Sequence, residues 1–461
     1  MKIIQKILND VYPSKDYVLN SIIIDGVRVY FFYNEVLVDI KSINDFIMKK
    51  IIFLRKKELK ELQNNISSCN TLVIKDKDIF HYIHNGFLII ICDKIYACEL
   101  RSDLSRGIST IESELSISGP KDSFTEIINT NLGLIRKRIK STKLKSLTMQ
   151  IGKYSKTKID ILYIDGIVKK DLVEHIRKKL LNISIDGILD SSYLKYSLEN
   201  PFQLFPTIIM TERPDKSCMA LLEGKVIILV DNSPYVLILP SLFIDYFHTT
   251  DDYYQKSFHT SFIRIIRFLA FIISVFTPAI YISITTRNYN LVPLSLLLML
   301  KAGRTFVPFP AYIEALFMIV CFEILKESDL RMSTTSGSAI SILGGLVLGD
   351  AAVAAGIVSP IMIIVIAISS IAGLIFTSFE LGNTIRFYKL FLLLLGTIFG
   401  IYGVFMGSIL MIYQLVNTEI FGYSYLSIDK NELKDSIVKI DTKIRKRNSK
   451  LTKNIIRGHY R

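Results

Sequence analysis

Side chains able to do chemistry are few in this 461-residue chain, and they are scattered. Of the six histidines (His81, His84, His175, His248, His259 and His459), only His81 and His84 stand close together. Three apart on a helix, they could share a metal ion, but no third ligand accompanies them, and a solvated or capping role is expected. The cysteines, Cys69, Cys92, Cys98, Cys218 and Cys321, show no CxxC or Cys/His spacing, which favours reduced thiols over zinc or disulfide chemistry. No phosphate-cradling glycine loop followed by Lys-Ser/Thr, no GxSxG elbow and no HExxH occurs. The expectation is therefore a non-enzyme without cofactor or metal. Arg136–Lys145 carries six basic residues. It lacks interleaved aromatics, so a solvated helix face or contact with anionic headgroups is expected rather than nucleic acid.

The distribution of charge shows where other chemistry could lie. Residues 1–260 hold 36 Lys/Arg and 31 Asp/Glu, residues 261–427 only 9 and 7, and residues 428–461 hold 11 and 4. With 50% hydrophobic residues, this pattern gives a soluble half, a membrane block and a basic tail. It excludes a wholly soluble enzyme, a secreted disulfide scaffold and a disordered protein. The N-terminus has no apolar run of the kind found in a cleavable signal peptide.

Five apolar stretches approach the roughly 20 residues that cross a bilayer: Phe262–Thr285, Pro308–Leu325, Gly337–Gly356, Pro360–Phe379 and Phe387–Val416. Leu291–Leu300 is too short to cross and suits the interface. The tail's lysines and arginines predict a cytoplasmic C-terminus. A cytoplasmic soluble half then demands an even number of crossings. Pro308–Leu325, which carries Glu314 and Glu323, is the weakest candidate, and the count stays open between four and six.

In the third stretch, Gly345, Gly349, Ala352 and Gly356 fall on one helix face, a small-residue stripe suited to helix packing. The other face carries Leu343, Val347, Asp350 and Ala354. An intramembrane carboxylate faces protein or water. One reading makes this face pore-lining, with Val347 and Leu343 as an apolar gate and Asp350 near a mouth. The other places Asp350 at the membrane interface.

The soluble half alternates strands and helices. Val27–Asp39 reads as two short strands before a helix at Ser42–Leu54, and Ile159–Ile164 as a strand before a helix at Lys170–Leu181. Asn85–Leu100 resembles Glu223–Pro240 at an offset of 138 residues, and a second pair recurs at about 130. Asp231-Asn-Ser-Pro marks a hairpin, and Gly86, Gly166 and Gly224 read as turn glycines. Glu212 and Arg213 read either as an ordinary charged turn or as part of a subunit interface or coupling element. The expected fold is an α/β soluble N-terminal half of two related subdomains, followed by an α-helical polytopic membrane domain. The boundaries are 1–145 and 146–258 for the two cytoplasmic subdomains, 259–427 for the membrane domain and 428–461 for the basic cytoplasmic tail.

Particular residues carry a family likeness. They include Ser118-Gly-Pro-Lys-Asp-Ser-Phe-Thr-Glu126, Leu134-Ile-Arg-Lys-Arg138, Glu199-Asn-Pro-Phe202 and Thr211-Glu-Arg-Pro-Asp215. Further on come Val307-Pro-Phe-Pro310, Glu314-Ala315, Gly356-Ile-Val-Ser-Pro360 and Phe421-Gly-Tyr-Ser-Tyr-Leu-Ser427. Over roughly Ser21 to Ser427 the chain resembles an A subunit of the GerA-type nutrient germinant receptors of spore-forming bacteria. The resemblance implies a multi-pass protein of the spore inner membrane. It also implies a homo-oligomer in contact with lipid, partnered by a transporter-like B subunit and a lipoprotein C subunit. The implied activity is a nutrient-gated ion channel that releases cations to start germination. Relatives commonly carry Glu or Gln where Asp350 stands, so a fixed charge there is not essential. Two alternatives stay open: a structural scaffold subunit without its own pore, and a secondary transporter. Against the transporter, no inverted repeat or matching pair of broken helices is evident.

Overall fold

A computed structural model describes residues 2–52, 70–103, 114, 118–331, 349–376 and 378–426. Ten strands form two antiparallel sheets. The first contains β1 (Tyr17–Ile24), β2 (Val27–Asn34), β3 (Thr71–Ile74), β4 (Phe87–Ile91) and β5 (Ile95–Glu99), in the order β1-β2-β4-β5-β3. The second contains β6 (Leu144–Ile151), β7 (Thr157–Ile164), β8 (Ile209–Thr211), β9 (Val226–Val230) and β10 (Val236–Leu239), ordered β6-β7-β9-β10-β8. The same strand order therefore occurs twice. Gly86 and Gly224 precede β4 and β9 with φ of +81° and +92°. A side chain at Gly86 would also lie 2.9 Å from the Leu37 carbonyl. Val27–Asp39 proves to be a single strand, Val27–Asn34, followed by an isolated bridge from Val38 to Arg101.

Every residue of β4 and β9 is buried, because helices cover both faces of each sheet. Helices α1 (Lys2–Val11) and α2 (Ile79–Ile83) cover Phe87, Ile89 and Ile91, while Ile43, Ile47 and Ile51 cover Leu88 and Ile90. In the second sheet, α3 (Ile128–Arg138) packs over Ile227 and Leu229, whereas α4 (Lys170–Leu181) and α5 (Ser191–Leu198) pack over Val226, Ile228 and Val230. Helix α6 (Pro214–Leu222) starts with proline at its first turn, where the missing N–H is no loss, and joins α3.

After the one-turn helix α7 (Asp251–Tyr254), the chain enters an apolar bundle. Its members are α8 (Ser257–Thr286), α9 (Leu294–Ala302), α10 (Ala311–Arg331), α11 (Pro360–Gly373), α12 (Phe379–Phe399) and α13 (Ile401–Asn417). Among the described residues, α8 and α12 are long and apolar enough to cross a membrane, and α11 and α13 are shorter apolar helices. The stretch Phe387–Val416 is not one span. Gly400, at φ +65° and ψ −145°, breaks it in a conformation reserved to glycine, and a side chain there would collide with Asn288. Beyond the break, α13 folds back antiparallel. Gly403 and Gly407 lie against Leu395 and Leu392, and the Tyr388 hydroxyl donates to Gln414.

The carboxylates that weakened Pro308–Leu325 as a span each have a cation. Arg304 lies 2.7 Å from Glu314, and Arg386 lies 2.8 Å from Glu323. Glu314 also accepts the Ser359 N–H at 3.0 Å, capping α11. After α13, Thr418–Leu426 returns to the α/β domain, where Tyr425 is buried and its carbonyl accepts the Phe243 N–H. The last described segment thus packs on the second subdomain, beside Phe243 and the second sheet.

Candidate functional site at the junction of the α/β domain and the bundle

Each side chain of the four-residue α7 has a defined partner. Asp251 accepts the Ser118 N–H at 3.0 Å, the Tyr253 hydroxyl donates to Glu223 at 3.0 Å, and the Tyr254 hydroxyl donates to Asp215 at 2.9 Å. Asp252 reaches the other way, into α8. It lies 3.1 Å from Arg264 Nε and 2.8 Å from Arg267 Nη1. Arg267 further donates to the Phe247 carbonyl and to Thr249 Oγ1, both at 2.9 Å. Asp252 is 2% exposed, Arg264 4% and Arg267 8%, so the cluster is sealed from solvent. Burial pushes the Asp252 carboxyl up. The hydrogen bond from Arg267 and the charges of Arg267, Arg264 and His248 outweigh it and hold the group below the usual carboxylate range.

The charged residues before α6 continue this network into the domain. Arg213 is fully buried, forks onto Asp215 at 3.0 and 2.8 Å, and donates to the carbonyls of Glu114 and Pro120. Glu212 is buried as well and accepts the Glu114 N–H. The ordinary charged turn is therefore ruled out for both residues. Ion pairs and hydrogen bonds run from Glu114 and Arg213 through Asp215 to Tyr254 on α7, and Asp252 of the same helix carries them on to α8.

A second contact joins the domain to α12. Lys195, on α5 and 1% exposed, pairs with Glu380 in the first turn of α12 and lies 3.9 Å from Glu199. Burial pushes the Lys195 ammonium down to about 8 against the pull of Glu199. The added contact with Glu380 favours its charged form. One turn further, the Thr384 hydroxyl donates to the Leu204 carbonyl at 2.6 Å. Beneath them Phe205 stacks on Tyr388 at 5.4 Å and meets Phe243 and Tyr425, while Phe247 packs on Phe271 and Phe376. The core of the second sheet and that of the bundle are consequently one hydrophobic cluster. Such an interface transmits displacement because close-packed side chains resist independent movement.

Of the residues singled out in the third apolar stretch, Leu343, Gly345 and Val347 lie outside the described residues. Ala352 is buried against Ala315, Met318 and Met362, whereas Asp350 and Ala354 are exposed. Gly356 (φ +65°) ends this helix against the Phe306 carbonyl, and Gly349 has open space where a side chain would sit. His84 is not solvated but stands at the C-cap of α2, its N–H bonded to the Phe80 carbonyl. It is buried, with Nε2 3.0 Å from the Tyr17 hydroxyl. The basic run is a solvated face only in part, at Lys137, Lys140 and Lys143. Arg136 is fully buried on Asp16 at 2.8 Å, and Lys145 donates to the Asp10 carbonyl, which locks the two sheets together.

The residues at the junction that sequence reasoning missed are Asp252, Tyr254, Lys195 and Glu380. The available signal was Asp251-Asp252 placed just before an apolar helix that begins with Arg264 and Arg267.

Comparison with known proteins completes the description. Spore germination protein KA of Bacillus subtilis is 39% identical over 73% of this chain, which spans only 62% of that relative's length. Spore germination protein GerQA of Bacillus cereus is 33% identical over 95% of this chain and 90% of its own length. The crystal structure of the N-terminal domain of the A subunit of the Bacillus megaterium spore germinant receptor GerK3 is 28% identical. It covers 52% of this chain and 94% of that one, with a TM-score of 0.42. The model of the Bacillus/Clostridium GerA spore germination protein family matches residues 2–451, and the chain belongs to that family.

Proposed function

We propose that this chain is a non-enzymatic A-type subunit of a nutrient germinant receptor in the spore inner membrane, and that its copies surround a nutrient-gated ion path. The observation that carries this reading is the position of Asp350. It is exposed together with Ala354, while Ala352 between them is buried in the bundle. Lipid cannot solvate a carboxylate, but a neighbouring copy or an aqueous path can. The bundle reads as six crossings, α8, α10, the third apolar stretch, α11, α12 and α13, with both ends of the chain cytoplasmic. In this reading a transporter-like B subunit and a lipoprotein C subunit act on the α/β domain. The junction at α7 and α12 then passes the displacement to the pore.

The test is cation release from spores carrying Val347→Ala or Asp350→Asn, with and without nutrient. Release without nutrient is the expected result for the first variant. For the second, the expected result is altered release kinetics. Normal nutrient-dependent release from both would remove the third stretch from the gate and favour a scaffold subunit.

A further inference from the structure

A cleft of about 460 Å³ lies between α5, the Glu199–Pro206 segment and the first turns of α12. That volume falls within the roughly 300–1,000 Å³ of small-molecule sites. Its walls include Lys195, Tyr196, Glu199, Glu380, Asn383 and Phe387. Two carboxylates line the cleft, and the Lys195 ammonium is behind them. Lys195 is 1% exposed, whereas the side chains of Glu199 and Glu380 keep 15% and 21% of their surface. Glu199 Oε1 is occupied by the N–H groups of Thr207 and Ile208, leaving Oε2 toward Lys195. The charged groups nearest the open face of the cleft are thus carboxylates. Tyr196 and Phe387 flank it with exposed rings. Carboxylates beside aromatic faces favour ammonium groups through charge and cation–π attraction. On the same wall the side-chain amide nitrogen of Gln203 is buried without a hydrogen-bond partner, a donor lacking an acceptor oxygen.

We infer that this cleft binds a small ammonium-bearing molecule with an oxygen acceptor a few bonds away, the chemistry of an amino alcohol or of an ethanolamine or choline headgroup. The ammonium lies against Glu380 and the rings, and the oxygen meets Gln203. Because Glu380 also holds Lys195, the bound cation competes for that carboxylate and loosens α12 from the domain. The site is independent of the proposed pore.

The test uses the full chain. In detergent, choline and ethanolamine are titrated by calorimetry. In a second arm, phosphatidylethanolamine and phosphatidylglycerol nanodiscs are compared for lipid retained with the chain. Saturable binding of a free probe assigns a soluble amine, and selective retention of phosphatidylethanolamine assigns the lipid headgroup. Tyr196→Ala should weaken binding roughly tenfold, and Glu380→Gln should abolish it. Asn383→Leu, at an exposed position outside the Lys195 contact, keeps the site testable if Glu380→Gln fails to fold. No saturable binding in either arm, or binding unchanged by Tyr196→Ala and Asn383→Leu, would overturn the inference.

Discussion

Asp252→Asn is the most direct perturbation of the junction, because it keeps the shape of the side chain and deletes its charge. Two buried guanidinium groups lie about 3 Å from that carboxylate. At an effective dielectric near 20, each contact has a gross attraction of about 5 kcal/mol, most of it offset by desolvation. Removing the shared partner strands both cations in a closed environment, and such broken buried pairs cost about 3–5 kcal/mol. Arg264→Gln is milder at about 1–2 kcal/mol, since Asp252 keeps its bonds from Arg267. The assay is a urea titration of the full chain in detergent followed by far-UV circular dichroism, since the chain has no tryptophan. Because folding holds Asp252 below its unfolded pKa of about 3.9, its contribution is present above pH 4 and is lost as pH falls through the lower folded value. The difference between wild type and Asp252→Asn should therefore shrink in strong acid. A cost below about 1 kcal/mol at pH 7, or equal costs for Asp252→Asn and Arg264→Gln, would refute the idea that one carboxylate organises this cluster.

Other substitutions test neighbouring parts of the argument. Gly400→Ala should open the α12–α13 turn at a cost of at least about 1–3 kcal/mol, read as loss of a cysteine cross-link engineered between positions 388 and 414. An intact cross-link would place the turn elsewhere. Phe205→Ala removes a ring 1% exposed between the domain and α12. It should cost about 3–5 kcal/mol and slow nutrient-triggered cation release in spores that still contain the protein. Unchanged kinetics would mean that the shared core does not carry the signal.

The fold of the soluble half was legible because β4 and β9 announce themselves as continuous apolar runs after a turn glycine, at nearly the same interval in both halves. The Asp231–Pro234 hairpin was legible for a similar reason, with turn formers between two β-rich runs. The junction was not. Arg136 read as part of a solvated or headgroup-facing run, Glu212 and Arg213 as a charged turn or an interface element, and Lys195 gave no signal, since nothing local indicates that a long polar side chain will be enclosed. Their partners explain the difference. Arg136 meets Asp16 across 120 residues, and Lys195 meets Glu380 across most of the remaining chain. Pairings at such separations belong to the tertiary fold and leave no periodicity in the sequence. The burial of the helix-capping His84 was hidden on the same grounds, because its partner Tyr17 lies far off on β1.

The crossing count turns on a signal that hydropathy cannot carry. Phe387–Val416 is uniformly apolar, so averaging over it yields one long span, whereas a single glycine with positive φ divides it into two antiparallel helices. The directions of the remaining helices then follow from their contacts. Helix α8 leaves the domain at Arg264 and passes Ala279 beside Gly396, so α8 and α12 both lead away from it. Glu314 meets Arg304 and Ser359, whereas Glu323, further along α10, meets Arg386 near the domain end of α12. Helix α10 thus runs toward the domain. Helix α11 does the same, from Ser359 near Glu314 to Phe376 against Phe247. Gly356 lies against Phe306, at the same end of the bundle as the contacts of Glu314 with Arg304 and Ser359. Asp350 then lies nearer the far end than the domain. In the proposed receptor, a displacement arriving through α7 and α12 would have the depth of the bundle to cross before it reached that carboxylate, and the ion-paired α10 and the α12–α13 hairpin are the elements it would use.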